Sequence, residues 1–189
     1  MHPVRKTLGA LAALAVLLGS AAFVGSVAGA AGDKYAVKVS GGLGFAEFKG
    51  YESWETVAIS SNERLMAVTV ANPAMIKAYK AGIPANGKPV PDGAKMAKVH
   101  WVPKKSEFFP DTMIPGVQHD VDFMVKDSKR FGGDGGWGYA YFKYDAASDT
   151  FRPATTADMP PQGNDAKCGV ACHAIVKNRD SVFTDYGHR

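Results

Sequence analysis

Two thiols and an imidazole crowd one short stretch near the C-terminus, Cys168-Gly169-Val170-Ala171-Cys172-His173. Three kinds of chemistry fit such a set. The thiols can add to the vinyl groups of a haem, and the histidine directly after the second cysteine then supplies the proximal iron ligand, the place His173 occupies. That attachment usually has two residues between the cysteines, and Gly169, Val170 and Ala171 make three here. A small bulge absorbs the extra residue, because the thioether bonds rotate. A local Cys168–Cys172 disulfide is the second option in an oxidising compartment. The third is a zinc site completed by His188, although zinc ligands usually come in closer pairs. Both cysteines of the chain lie in this window, so no disulfide framework ties distant segments together.

Haem attachment through cysteine needs an exported chain, and the N-terminus reads as an export signal. His2, Arg5 and Lys6 precede an uncharged run from Thr7 to Ala31 that contains the small-residue site Ala28-Gly29-Ala30. The run is long enough to serve as a membrane anchor, but its second half is rich in Gly, Ala and Ser. The expectation is a cleaved signal peptide over residues 1–30 and a folded domain over 31–189, placed in the periplasm. The remaining 159 residues suffice for one domain with a core. Loss of Arg5 and Lys6 lowers the formal charge from +4 to +2, and no basic block with interleaved aromatics points to nucleic acid.

The elements that must position the motif read as strands with few helices. "ERLMAVTVANP" gives a strand ending at Asn72. Asn72, Pro73 and Gly82 then punctuate a short helix as N-cap, first turn and stop. "AKMAKVHWV", "VQHDVDFMV" and "WGYAYFKYD" are further strands. "PKKSEFFPDTMIPG" reads as a loop, "KDSKRFGGDGG" as a turn or short helix, and Ala146 to Ala166, with three prolines, as a surface loop. Residues 165–177 form the expected helix bearing the cysteines. The fold class is α+β and β-rich: a single domain with an antiparallel sheet, short helices and a C-terminal haem-binding helix. Alternation along "AKMAKVHWV" puts Lys95, Ala97, Val99 and Trp101 on one face and Met96, Lys98, His100 and Val102 on the other.

Several landmarks in a fixed order, "GYESW", "NPAMIKAY", "PDG" followed by lysine, "VKDSKRF", "GGWGY", Cys…Cys-His and "VFT", resemble the cytochrome P-460 family from about Tyr51 to the C-terminus. The resemblance implies one covalently attached haem c in a homodimeric periplasmic protein. Cys168 and Cys172 would form the thioethers and His173 the proximal ligand, with the other side of the iron open. Family members that oxidise hydroxylamine bond a lysine to the haem ring, and the matching residue is Lys98. They also place a carboxylate over the iron four residues before the lysine of "KDSK", which is Asp122. A carboxylate there can accept the protons released as hydroxylamine is oxidised. Taken without the resemblance, Lys98 is an ordinary solvated strand lysine and Asp122 a strand-surface carboxylate. His119 or Asp120 takes the carboxylate's place if the register slips by one. A distal arginine is also implied; Arg64 is the nearest, while alignment on Asn72-Pro73 puts Ala67 at that position.

Three functions follow. One is oxidation of hydroxylamine, and of nitric oxide, with electrons passed to a partner cytochrome. The second is nitric-oxide binding without turnover, as in the related cytochromes c′-beta. The third is plain electron transfer with Met96, Met113, Met124 or Met159 as a sixth ligand. His119 alternates with Val117, Val121 and Phe123 and is expected to be packed. Phe123, Trp137, Tyr139 and Tyr141 are expected in the core, with enough surface to wall in a porphyrin.

Overall fold

The strands pair in simple chain order, each antiparallel to the one before it. They are β1 (Glu55–Ser61), β2 (Met66–Ala71), β3 (Lys95–Lys105), β4 (Met113–Lys126), β5 (Trp137–Asp145) and β6 (Thr150–Pro153). The structure is a computed structural model describing residues 32–39, 42–154 and 169–187. These residues belong to one unit, Ala31–Arg189. The expected signal segment, Cys168, Met159 and His188 lie outside the described residues. None of the described helices is long and apolar enough to cross a membrane.

The expected helix is present as α1 (Pro73–Lys80), with Pro73 in its first turn. Asn72 Oδ1 accepts from Met75 N at 3.0 Å and from Lys95 N at 2.9 Å, so one side chain caps the helix and ties it to β3. Gly82, at φ 77°, supplies the left-handed residue after the helix. Met75, Ile76, Ala78 and Tyr79 turn inward.

Three segments differ from the sequence reading. Half of "PKKSEFFPDTMIPG" is strand, because Pro103 pairs with Pro115 and Lys105 with Met113. The prolines, which read as breakers, sit beside register irregularities at Trp101, where a missing N–H costs the ladder little. Part of the expected surface loop is β6, which pairs with β5. β1 was not anticipated; its burial alternates too weakly to announce a strand.

Both faces of the sheet bury apolar residues. One face carries Val70, Ala97, Val99, Val121, Phe123, Val125, Ala140 and Phe142, covered by Leu43, Phe45, Phe48 and Tyr51 from the N-terminal segment. Phe48 stacks on Phe123 at 4.1 Å, and Phe45 meets both Phe123 and Phe142 within about 5 Å. Burying each such ring is worth about 1.5–3 kcal/mol, so this aromatic face supplies much of the drive to fold. The opposite face carries Ala71, Met96, Met124, Trp137 and Tyr139, packed against α1 and Val182. This double burial explains why alternation along β3 did not reveal a solvent side.

Candidate functional site

Pairing across the strands lays the second face out in rows. Ala71, Met96, Met124 and Tyr139 stand side by side in the first row. Thr69, Lys98, Asp122 and Tyr141 form the second, and Ala67, His100, Asp120 and Lys143 the third. The first row is largely apolar, the second is polar and ionisable, and the third holds a histidine–carboxylate pair.

A cavity of about 700 Å³ lies over the first two rows, roofed by the C-terminal segment. Its lining includes Met96, Lys98, Asp122, Met124, Tyr139 and Tyr141 from the sheet. Gly169, Cys172, His173, Val182, Phe183 and Thr184 come from the roof. The volume falls in the range of cofactor and ligand pockets. Four of the five residues singled out from sequence therefore meet in one place: Lys98, Asp122, Cys172 and His173. The fifth, Cys168, lies outside the described residues.

The described part of the helix expected over 165–177 is helical but irregular, and it forms the roof. Its described part has one helical turn, α2 (Ala171–His173), followed by 3-10 helix over Ala174–Arg179 with a kink at Val176. Asp180 and Ser181 then adopt left-handed backbone, at φ 49° and 61°. For non-glycine residues this costs on the order of 1 kcal/mol each, so the surroundings must hold the turn in place. Gly169 makes the roof fit, because a Cβ there would stand 2.4 Å from Cγ of Tyr139. Only glycine lets the insertion between the cysteines approach the sheet this closely.

His173 is held on three sides. Its ring lies 4.8 Å from that of Tyr139 and 5.0 Å from that of Phe183. Nδ1 lies 2.6 Å from the Ser181 carbonyl, which can only accept, so Nδ1 carries the proton and Nε2 is left with the lone pair. Burial lowers the His173 pKa below its usual value and the Lys98 charge lowers it further, against the opposing pull of the Ser181 bond. The ring is thus neutral at physiological pH, the state in which imidazole binds metal. Cys172 is a free, exposed thiol on the same cavity wall.

The third row adds a polar cluster beside the cavity. Asp120, only 4% exposed, accepts from His100 Nδ1 at 2.5 Å, from His119 Nδ1, and from the Tyr141 hydroxyl at 3.2 Å. Burial alone would raise the Asp120 pKa, but the hydrogen bonds from the two histidines outweigh it and leave the carboxyl below its ordinary range. Tyr141 is pushed up to about 12, first by burial and then by the neighbouring Asp120 charge. His100, Asp120 and Asp122 have donor atoms within 4.8 Å of one another. The His100–Asp120 hydrogen bond forms the heart of that grouping, with Asp122 3.8 Å from His100 Nδ1.

Other sequence expectations sort by face. Phe123 belongs to the aromatic core, Trp137 is buried beneath the second face, and Tyr139 and Tyr141 line the cavity. His119 is not packed between apolar neighbours; it is half-exposed and bonded to Asp120. Met96 and Met124 line the cavity, while Met113 stands exposed on the β3–β4 hairpin. Arg64 is exposed in the turn between β1 and β2, and no described lining residue of the cavity is an arginine. The residues that sequence reasoning missed are Asp180 and Ser181, between the motif and the "VFT" landmark of Val182 to Thr184. They carry no spacing signal, because their role comes from backbone shape.

A neutral imidazole, a free thiol and a largely apolar wall suit a haem. Comparison with known families agrees: the family model described as Cytochrome P460 matches residues 48–184. The chain belongs to the cytochrome P460 family. No curated protein matches it significantly. As a member of this family the protein is a haem cytochrome, and the match spans the sheet, the cavity and the roof. The cytochrome P460 match also covers both sides of the cavity, including Lys98 and His173.

Proposed function

We propose that the protein is an exported monohaem c-type cytochrome that oxidises hydroxylamine. The observation that carries this reading is the meeting of Lys98, Asp122, Cys172 and His173 on one cavity of about 700 Å³. Cys168 and Cys172 would hold the haem by thioether bonds, and His173 would bind its iron through Nε2. Bound there, the haem would supply an iron able to take a small nitrogen compound and a sink for its electrons.

The chain's own residues do the rest. Ser181 holds the His173 ring in one tautomer and orientation through Nδ1. Tyr139 and Phe183 fix the plane of that ring. Asp122, half-exposed in the cavity wall, accepts protons that leave the substrate nitrogen. Lys98, its cross-strand neighbour on the same cavity, would bond the haem edge, a change that would alter the electronics of the ring. Electrons pass on to another cytochrome.

A second reading rests on the arginine. No described lining residue of the cavity is an arginine, which favours nitric-oxide binding without turnover. Turnover of hydroxylamine with an artificial electron acceptor separates the two. The enzyme reading expects steady turnover, lost or strongly reduced in Asp122→Asn; binding of nitric oxide with no hydroxylamine turnover would overturn it. Lys98→Arg is expected to keep the haem and lose any unusual absorption, and an unchanged spectrum in that variant would remove the cross-link.

A further inference from the structure

Lys126 is a buried cation that neither the cavity nor the aromatic core uses. It sits at the end of β4, and 5% of its side chain is exposed. Its ammonium donates at 2.8 Å to both carboxylate oxygens of Asp180 and to the Gly135 carbonyl. It also lies 5.1 Å from the centre of the Trp137 ring. A lysine so enclosed must have all its donors met, and here they are.

Asp180 is held from several further directions. Its carboxylate accepts from Val90 N at 2.6 Å, and its carbonyl accepts from Trp137 Nε1 at 2.8 Å. Asp180 is also the first of the two left-handed residues, at φ 49°, and Ser181 at 61° is the second. Left-handed backbone persists at non-glycine residues where neighbouring contacts over-determine it. Those contacts are the ones made by Lys126, Val90 and Trp137, added to the backbone bonds from Asp180 N to the Lys177 carbonyl and from Ser181 N to the Val176 carbonyl. The next carbonyl along the chain, that of Ser181, takes the Nδ1 proton of His173.

We propose that Lys126 is a positioning residue for His173: by clamping Asp180 it fixes the left-handed turn that aims the Ser181 carbonyl at Nδ1. The inference rests on the reading of His173 as the iron ligand. A hydrogen bond at Nδ1 increases the donor strength of Nε2, so the clamp tunes the metal from beyond its ligand shell. Loosening it weakens that bond, which lowers the iron–histidine stretching frequency and raises the midpoint potential.

The control is Lys95. It is a half-buried lysine that also bonds a backbone carbonyl, that of Glu47, but on the aromatic face. The experiment uses the full-length holoprotein and measures the ferrous iron–histidine stretch by resonance Raman and the midpoint potential by titration. Lys126→Met, Asp180→Asn and Lys95→Met are compared with the parent. Asp180→Asn keeps size and tolerance for left-handed backbone, so it serves if Lys126→Met does not fold. The expected result is a lower stretching frequency and a higher potential in both clamp variants, and neither change in Lys95→Met. Clamp variants that carry haem with both readouts unmoved would overturn the proposal, as would an equal shift in Lys95→Met. A parent protein without an iron–histidine band would instead defeat the ligand assignment itself, and the clamp with it.

Discussion

The two faces of the sheet use similar strands for opposite ends. On the aromatic face, Phe45, Phe48, Phe123 and Phe142 interlock with Tyr51, and no charged side chain stands among the described residues of that buried cluster. On the cavity face, the same strands present Lys98, Asp122 and Asp120, and an irregular turn covers them without filling the space. One face stabilises the fold and the other leaves room at its expense. The difference teaches that site and stability are separable here at single-residue resolution, since neighbours such as Phe123 and Asp122 point to opposite sides.

The largest expected effect comes from cutting the aromatic face. Phe123→Ala removes a ring that packs with Phe45, Phe48, Tyr51 and Phe142. A loss of about 3–5 kcal/mol is expected in denaturant unfolding. The fraction that folds should still carry haem, and a folded variant without haem would show the faces are not separable. Next comes the roof. Gly169→Ala drives a Cβ into Tyr139, where the obstructing atoms are the rigid base of the ring. Destabilisation of about 1–3 kcal/mol is expected, with reduced haem incorporation. Full stability and full haem content in that variant would mean the close approach is not required.

How much of this could be read in advance depended on whether a residue's role was written in its neighbours along the chain. Asn72, Pro73 and Gly82 announced α1 because capping is local chemistry. The alternation of β3 placed Ala97 and Met96 on opposite faces, as the structure has them. The motif around Cys172 and His173 was legible as spacing, and Lys98 and Asp122 through family landmarks. β6 was missed because a four-residue edge strand offers too little pattern among turn residues. The role of Lys126 was missed because its partner Asp180 lies 54 residues away. His119 was misplaced because a carboxylate beside it outcompeted the apolar alternation.

Acid sharpens the comparison further. Asp120 titrates below its ordinary value of 3.8, so its ionised form stabilises the folded state at neutral pH. That contribution is lost as the pH falls from the ordinary value through the lower, folded one. Asp120→Asn is expected to flatten this acid limb of a stability–pH curve, while Phe123→Ala lowers the whole curve without changing its shape. An acid limb identical to the parent's in Asp120→Asn would remove the carboxylate from the balance. The smallest change in stability belongs to Lys98→Arg, expected within about 0.5 kcal/mol of the parent. A loss much larger than that would make Lys98 a structural residue and blur the division between the faces.

The most direct test of the cavity face as a haem-attachment site is the intact mass of protein matured in a host competent for periplasmic haem attachment, with ferric and ferrous absorption spectra of the same sample. The expected result is a mass raised by one haem and a Soret band that moves strongly to the red on reduction. An ordinary red c-type spectrum at that mass would keep the haem and give up the lysine bond. A chain with no haem mass and two protons fewer would mean that Cys168 and Cys172 form a disulfide, and would contradict the assignment.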